Sequence, residues 1–155
     1  MTMHKEHLSF EELKTIAQQT ADHIKATQTN YTLVAVSRGG LMFAQCVAYN
    51  LSKPLSFFIP STGLWPTPNK PTTLIFLEDL VAKGRTVNTI DSQFKDWLLY
   101  PVITDVNAPK HEKVITEFCK KPNHWVVFPH EVAERTVVGD WGLFREGTSA
   151  NSKSS

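Results

Sequence analysis

Two apolar runs rich in β-branched residues, Tyr31–Val36 and Thr72–Leu77, each break off into a polar sequence with glycine and then into helical periodicity. A short apolar run without polar alternation reads as a strand buried on both faces. Such strands belong to parallel sheets covered by helices. The rest of the chain alternates in the same way. Ser9-Phe10-Glu11-Glu12 fits the S-x-x-E capping box. Leu13, Ile16, Ala17, Ala21 and Ile24 follow at helical spacing, which predicts a helix over about Ser9–Ala26. Leu41–Leu51 reads as a second helix and Pro54–Ile59 as a short strand. Pro60–Pro71, with four prolines and Gly63, reads as a loop. A third helix is predicted over Thr86–Leu98, then short strands over Val102–Val106 and Trp125–Phe128. This order predicts an α/β fold: a parallel, Rossmann-like sheet with right-handed crossovers and helices on both faces.

A chain of 155 residues suits one domain, expected over 1–147, and the serine-rich stretch 148–155 reads as a disordered polar tail. The formal net charge of +1 gives no electrostatic case for a nucleic-acid partner. A small anionic ligand needs only a local cluster of donors. Cys46 and Cys119 form no C-x-x-C pair and read as ordinary thiols of a reducing cytosol. No apolar run approaches the roughly 18 residues of a membrane helix. Met1–His7 has charge but no apolar core, so no signal peptide is expected. Together these predict a cytoplasmic protein without membrane or nucleic-acid partners.

In open α/β sheets ligands bind beyond the carboxyl ends of the strands, and two strand ends here carry unusual sequences. The first is Val36-Ser37-Arg38-Gly39-Gly40-Leu41. Two glycines after a strand let the backbone turn sharply and bring N–H groups close to a ligand. The following helix aims its positive end at the same space, and Arg38 adds a fork of donors suited to phosphate. A plain strand-to-helix turn is the alternative. The second is Leu77-Glu78-Asp79-Leu80-Val81-Ala82-Lys83-Gly84-Arg85-Thr86. Its adjacent carboxylates can accept from a ribose diol or hold hydrated Mg²⁺. The N–H groups of Ala82 to Thr86, with the Thr86 hydroxyl, can wrap a monophosphate. The alternative is a pair of solvated acids with Thr86 as an ordinary helix cap.

An apolar strand, two acids, a short spacer and Gly-x-Thr resembles the 5-phosphoribosyl-1-pyrophosphate (PRPP) motif of type I phosphoribosyltransferases. Ser37-Arg38-Gly39-Gly40 is similar to the pyrophosphate loop of their xanthine, guanine and hypoxanthine branch. His124-Trp125-Val126-Val127-Phe128-Pro129-His130-Glu131 resembles that branch's late tryptophan segment. The resemblance implies a phosphoribosyltransferase fold with a small base-binding hood. It implies transfer of phosphoribosyl from PRPP to a purine with release of pyrophosphate. Glu78, Asp79 and Arg38 would serve catalysis. Ser37, Arg38, Gly39, Glu78, Asp79, Ala82, Lys83, Gly84, Arg85 and Thr86 would bind PRPP. Trp125, Val126 and Asn107 would face the base, and Asp79 would contact a Mg²⁺ cofactor. A homodimer follows by the same analogy.

The sequence departs from that branch at Ala82, where an aspartate thought to accept a base proton usually stands, so the proton acceptor is unassigned. The segment matching the family's long mobile lid, Pro60–Pro71, is short and proline-rich. Two further functions are therefore carried: a non-catalytic PRPP or nucleotide binder on the same fold, and transfer to a base that is not a purine.

Overall fold

The computed structural model describes residues 5–122 and 125–131, with only the backbone of Lys5 and Trp125. The predicted tail and His124 lie outside the described residues. Along the chain the elements are β1 (Lys5–His7), α1 (Phe10–Thr27), β2 (Tyr31–Val36), α2 (Leu41–Leu51), β3 (Leu55–Ile59), β4 (Gly63–Trp65), β5 (Thr73–Val81), α3 (Arg85–Gln93), β6 (Trp97–Thr104) and β7 (Trp125–Val127). Among the described residues they fall into two compact units, one over 10–122 and the other made of 5–9 with 125–131. Among the described residues no helix is long and apolar enough to cross a membrane.

The larger unit is built on a five-stranded sheet of order β4-β3-β2-β5-β6, parallel except for β4. Strand alternation sends Val34, Val36, Phe58, Leu74, Phe76, Trp97 and Leu99 to one face, where Val87 and Ile90 of α3 complete a buried core. Leu33, Ile75, Leu77 and Tyr100 alternate to the other face, paired in register across β2, β5 and β6. There Tyr100 meets α1 through a 2.8 Å hydrogen bond between its hydroxyl and His23 Nδ1, and α2 packs against β2 and β5. The helices thus lie on both faces, as predicted. The smaller unit pairs β1 with β7 in parallel, Glu6 opposite Val126, and continues in a 2.8 Å bond from the Leu8 N–H to the Val127 carbonyl.

Four predicted elements are corrected. The strand predicted over Thr72–Leu77 continues to Val81, because Glu78, Leu80 and Val81 stay paired with β6, so the acids lie within β5 and the second loop starts after them. Within Pro60–Pro71, Gly63–Trp65 forms an antiparallel edge strand on β3, with Trp65 opposite Phe57. A turn closed by the Thr62 N–H on the Ile59 carbonyl at 2.9 Å and Gly63 at φ 121° make that reversal possible. The segment matching the lid is therefore a sheet-edge hairpin. α3 stops at Gln93, five residues short of Leu98, because Phe94 turns extended at φ −129°, ψ 150°. Trp97 and Leu98 instead open β6, which runs from Trp97 rather than Val102. An apolar run such as Trp97-Leu98-Leu99-Tyr100 serves helix and strand alike, and burial of Trp97 and Leu99 beside α3 decides for the strand. Pro101 is tolerated there. The Leu99 N–H points outward to the Lys113 carbonyl at 2.9 Å, so the missing N–H two residues on also points outward. The covering chain next meets β6 through the Lys120 N–H on Val102 at 2.8 Å.

Candidate functional site

The two loops singled out in the sequence leave the sheet side by side, because β2 and β5 are parallel neighbours with Ala35 opposite Leu77. The first loop starts where the Ser37 N–H donates to the Phe58 carbonyl at 2.9 Å. The chain then turns tightly through a cis Ser37–Arg38 peptide. The Gly40 N–H donates to Val36 at 2.9 Å, and the Leu41 N–H donates to Arg38 at 3.1 Å. The N–H groups of Arg38 and Gly39 make no hydrogen bond among the described residues. Arg38 is exposed.

The glycines are required by the closeness of β5. A Cβ on Gly40 would collide with the Leu77 carbonyl oxygen and stand 3.0 Å from that of Val36 and 3.2 Å from the Glu78 Cα. A Cβ on Gly39 would collide with the Asp79 carboxylate, 2.7 Å from its Cγ. Ser37 to Gly40 and the acid pair, forty residues apart in the chain, therefore form one surface.

The second loop departs from β5 after Val81. Gly84 sits in the left-handed region at φ 78°, ψ 12°, and α3 begins at the next residue. The first bond of α3 runs from the Asn88 N–H to the Gly84 carbonyl at 2.9 Å. The N–H groups of Ala82, Lys83, Gly84, Arg85 and Thr86 thus have no acceptor among the described residues. Leu80 through Val87 line a cavity of about 340 Å³. Unpaired N–H groups around a left-handed residue at a helix start make an anion-binding concavity.

The two acids differ. Glu78 is 6% exposed, and its Oε1 accepts the Asp79 N–H at 3.0 Å. Burial, then the neighbouring Asp79 carboxyl, push its pKa well above the ordinary glutamate value. The Thr86 hydroxyl, near Glu78, pulls it the other way. Asp79 is half-buried and turned toward Gly39. Thr86, read in sequence as a phosphate donor, is thus also a neighbour of Glu78.

Asn107 stands exposed in the turn after β6, its N–H donating to Asp105 Oδ1 at 2.8 Å. That turn borders the second loop: the Asp105 N–H donates to the Val81 carbonyl at 2.9 Å, and the Pro109 ring borders the space a Cβ on Gly84 would take. Ser37, Arg38, Gly39, Glu78, Asp79, the stretch Ala82 to Thr86 and Asn107 thus share one edge of one sheet. Trp125 and Val126 belong to the smaller unit, on β7. Sequence reasoning missed Leu80. It is 44% exposed beside buried Val81, so the alternation of β5 slips just after the acids and leaves an apolar side chain on the cavity wall. Its place directly after the acid pair was the available signal. Among the described residues no group of three or more His, Cys, Asp or Glu side chains is placed to hold a metal ion.

No family model matches the chain, and no curated protein sequence matches it. Its fold is shared with solved structures at low identity. A purine phosphoribosyltransferase from Pyrococcus horikoshii superposes with a TM-score of 0.67 at 16% identity, over 83% of this chain and 95% of that one. The xanthine-guanine-hypoxanthine phosphoribosyltransferase of Helicobacter pylori gives 0.63 at 15% identity, over 88% and 99%. A hypothetical protein from Neisseria gonorrhoeae with bound ppGpp gives 0.59 at 13% identity, over 92% and 99%. The α/β sheet with its two strand-end loops is the type I phosphoribosyltransferase fold, shared with purine phosphoribosyltransferases.

Proposed function

We propose that this chain binds PRPP across the two loops and transfers its phosphoribosyl group to a purine, releasing pyrophosphate. The carrying observation is the closeness of Gly39 to Asp79. It joins a loop with unpaired N–H groups and an exposed Arg38 to a loop that offers acids and then a run of unpaired N–H groups. A ligand with a phosphate at one end, a diol between and a pyrophosphate at the other matches that order. In this reading Ala82 to Thr86 hold the 5′-phosphate, Glu78 and Asp79 accept from the ribose hydroxyls, and Ser37, Arg38 and Gly39 hold the pyrophosphate. The neighbours named as purine phosphoribosyltransferases favour a purine. Leu80, on the cavity wall, and Asn107, in the turn after β6, are offered for the base.

The residues fit Mg²⁺, which takes one or two carboxylates and fills its remaining positions with waters and substrate phosphate oxygens. Asp79, with Glu78 beside it, supplies that share. A Mg²⁺ held there with PRPP would supply positive charge against the leaving pyrophosphate. The protein's own part is to place the ribose between two anchored phosphates, so that a base nitrogen forms a bond to C1 as the C1–oxygen bond to pyrophosphate breaks. Arg38 and the N–H groups of Arg38 and Gly39 face the charge that develops on the departing oxygens. No protein nucleophile takes part. A cytosolic location and a homodimer belong to the same reading, and the exposed Tyr49 and Trp65 offer apolar surface for the latter.

The test is pyrophosphate release from PRPP and Mg²⁺ with hypoxanthine, guanine, xanthine, adenine and non-purine bases in turn. Release with a purine supports the reading. Release only with a base outside the purines moves the assignment to that base. PRPP binding by calorimetry without turnover supports the second reading, a non-catalytic nucleotide binder. That second reading is favoured by Ala82 in place of an acid and by the neighbour carrying ppGpp.

A further inference from the structure

The turn after β6 is bonded to the chain just before the Ala82–Thr86 loop and runs on beside that loop. The Asp105 N–H donates to the Val81 carbonyl at 2.9 Å, where that loop leaves β5. The Asp105 carboxylate closes its own turn by accepting the Asn107 N–H at 2.8 Å, and the Ala108 N–H donates to the Asp105 carbonyl at 3.0 Å. Ala108 then packs on the α3-side core. Pro109 follows with its Cγ and Cδ 3.6 and 3.9 Å from where a Gly84 Cβ would stand.

Gly84 sets the turn of the loop into α3. Its left-handed backbone, φ 78° and ψ 12°, aims the neighbouring N–H groups into one concavity. Glycine reaches that conformation freely and leaves it as freely. Nothing in its own side chain holds it there, so rigidity comes from outside. The Pro109 ring, which follows the closed Asp105 turn, borders the space that a side chain at position 84 would take.

We propose that Asp105 and Pro109 are positioning residues that hold Gly84, and with it the N–H groups of Ala82 to Thr86, in the shape that receives phosphate oxygens. This rests on the reading above that the loop takes the ligand's 5′-phosphate. Asp105 and Pro109 act through the loop and need not touch the ligand. Preorganisation of this kind lowers the ordering cost of binding.

The experiment compares the full chain with Asp105→Ala, Pro109→Ala and Asp105→Asn. Two readouts are taken: calorimetric binding of ribose 5-phosphate and of pyrophosphate, and the ¹⁵N order parameter of Gly84 without ligand. Asp105→Ala and Pro109→Ala are expected to weaken ribose 5-phosphate by roughly two- to tenfold, the worth of one hydrogen bond, and to leave pyrophosphate unchanged. The Gly84 order parameter falls in both. Asp105→Asn restores both readouts, because its amide oxygen accepts the same N–H. An unchanged Gly84 order parameter in Asp105→Ala and Pro109→Ala overturns the proposal. So does equal weakening of both ligands. If the unmodified chain binds neither ligand, the function proposed above fails instead, and the order parameters still decide the positioning role.

Discussion

Gly39 lies so close to the Asp79 carboxylate that any side chain at position 39 would run into it, whereas the same change at Gly40 would run into the backbone of β5. The two glycines therefore answer to different demands. The Asp79 carboxylate is the end of a side chain and can rotate away, so Gly39→Ala leaves the fold within about 1 kcal/mol of the original. It does displace the acid, and PRPP affinity is expected to fall about tenfold or more. Gly40→Ala has no flexible neighbour to push, since the Leu77 and Val36 carbonyls belong to adjacent strands. It is expected to cost roughly 1–3 kcal/mol of stability. Denaturant melts and calorimetry on both variants check this. A Gly39→Ala protein as unstable as Gly40→Ala would show that the first glycine serves packing alone.

Asp79→Asn keeps the size of the side chain and removes its charge. Asp79 is half-buried near the end of β5 and adds little to the core. The variant should melt close to the original and turn over about ten- to a hundredfold more slowly, from the loss of roughly 1.5–3 kcal/mol in one charged hydrogen bond. An early melt with a fully active folded fraction would make Asp79 structural.

Much of this site was legible because its parts are local. The bounds of β2 and α2 followed from one apolar run and one helical stripe, and both stand at the residues predicted. That both loops follow parallel strands on one sheet edge was legible from the same kind of run. What escaped depended on distant residues. The α3–β6 boundary turns on which layer buries Trp97. The placing of Pro109 beside Gly84 needs β5 and β6 in register, Val81 opposite Thr104. The exposure of Leu80 beside buried Val81, which packs with Leu74 and Phe76 on the α3-side core, depends on how β5 leaves the sheet after the acids, and no local pattern carries that.

Leu80 gives a test of the base side. Its side chain is 44% exposed on the cavity wall, so Leu80→Ala removes little that the fold relies on. If a base lies against it, shortening the side chain gives up roughly 1 kcal/mol of apolar burial. The KM for the base then rises about fivefold while the KM for PRPP holds. Steady-state kinetics with each substrate varied in turn measure the split. Equal change in both constants would place the base elsewhere.

Glu78 gives the last test, and it needs no ligand. Burial first, and Asp79 second, raise the Glu78 pKa well above the ordinary value in the folded chain, while the unfolded chain keeps about 4.3. The folded state thus holds the Glu78 proton more tightly. The stability this contributes is fully present below about pH 4.3 and is lost as pH rises through the higher folded value. Glu78→Gln has the shape of the protonated acid, its amide oxygen can still accept the Asp79 N–H, and it does not titrate. Relative to the original chain the variant should therefore gain stability steadily as pH rises from acid toward neutral, with both proteins kept free of divalent cations by a chelator. Thermal melts across that range read the difference. Parallel curves would mean that Glu78 titrates alike in the folded and unfolded chain, with the Asp79 N–H and the Thr86 hydroxyl offsetting its burial.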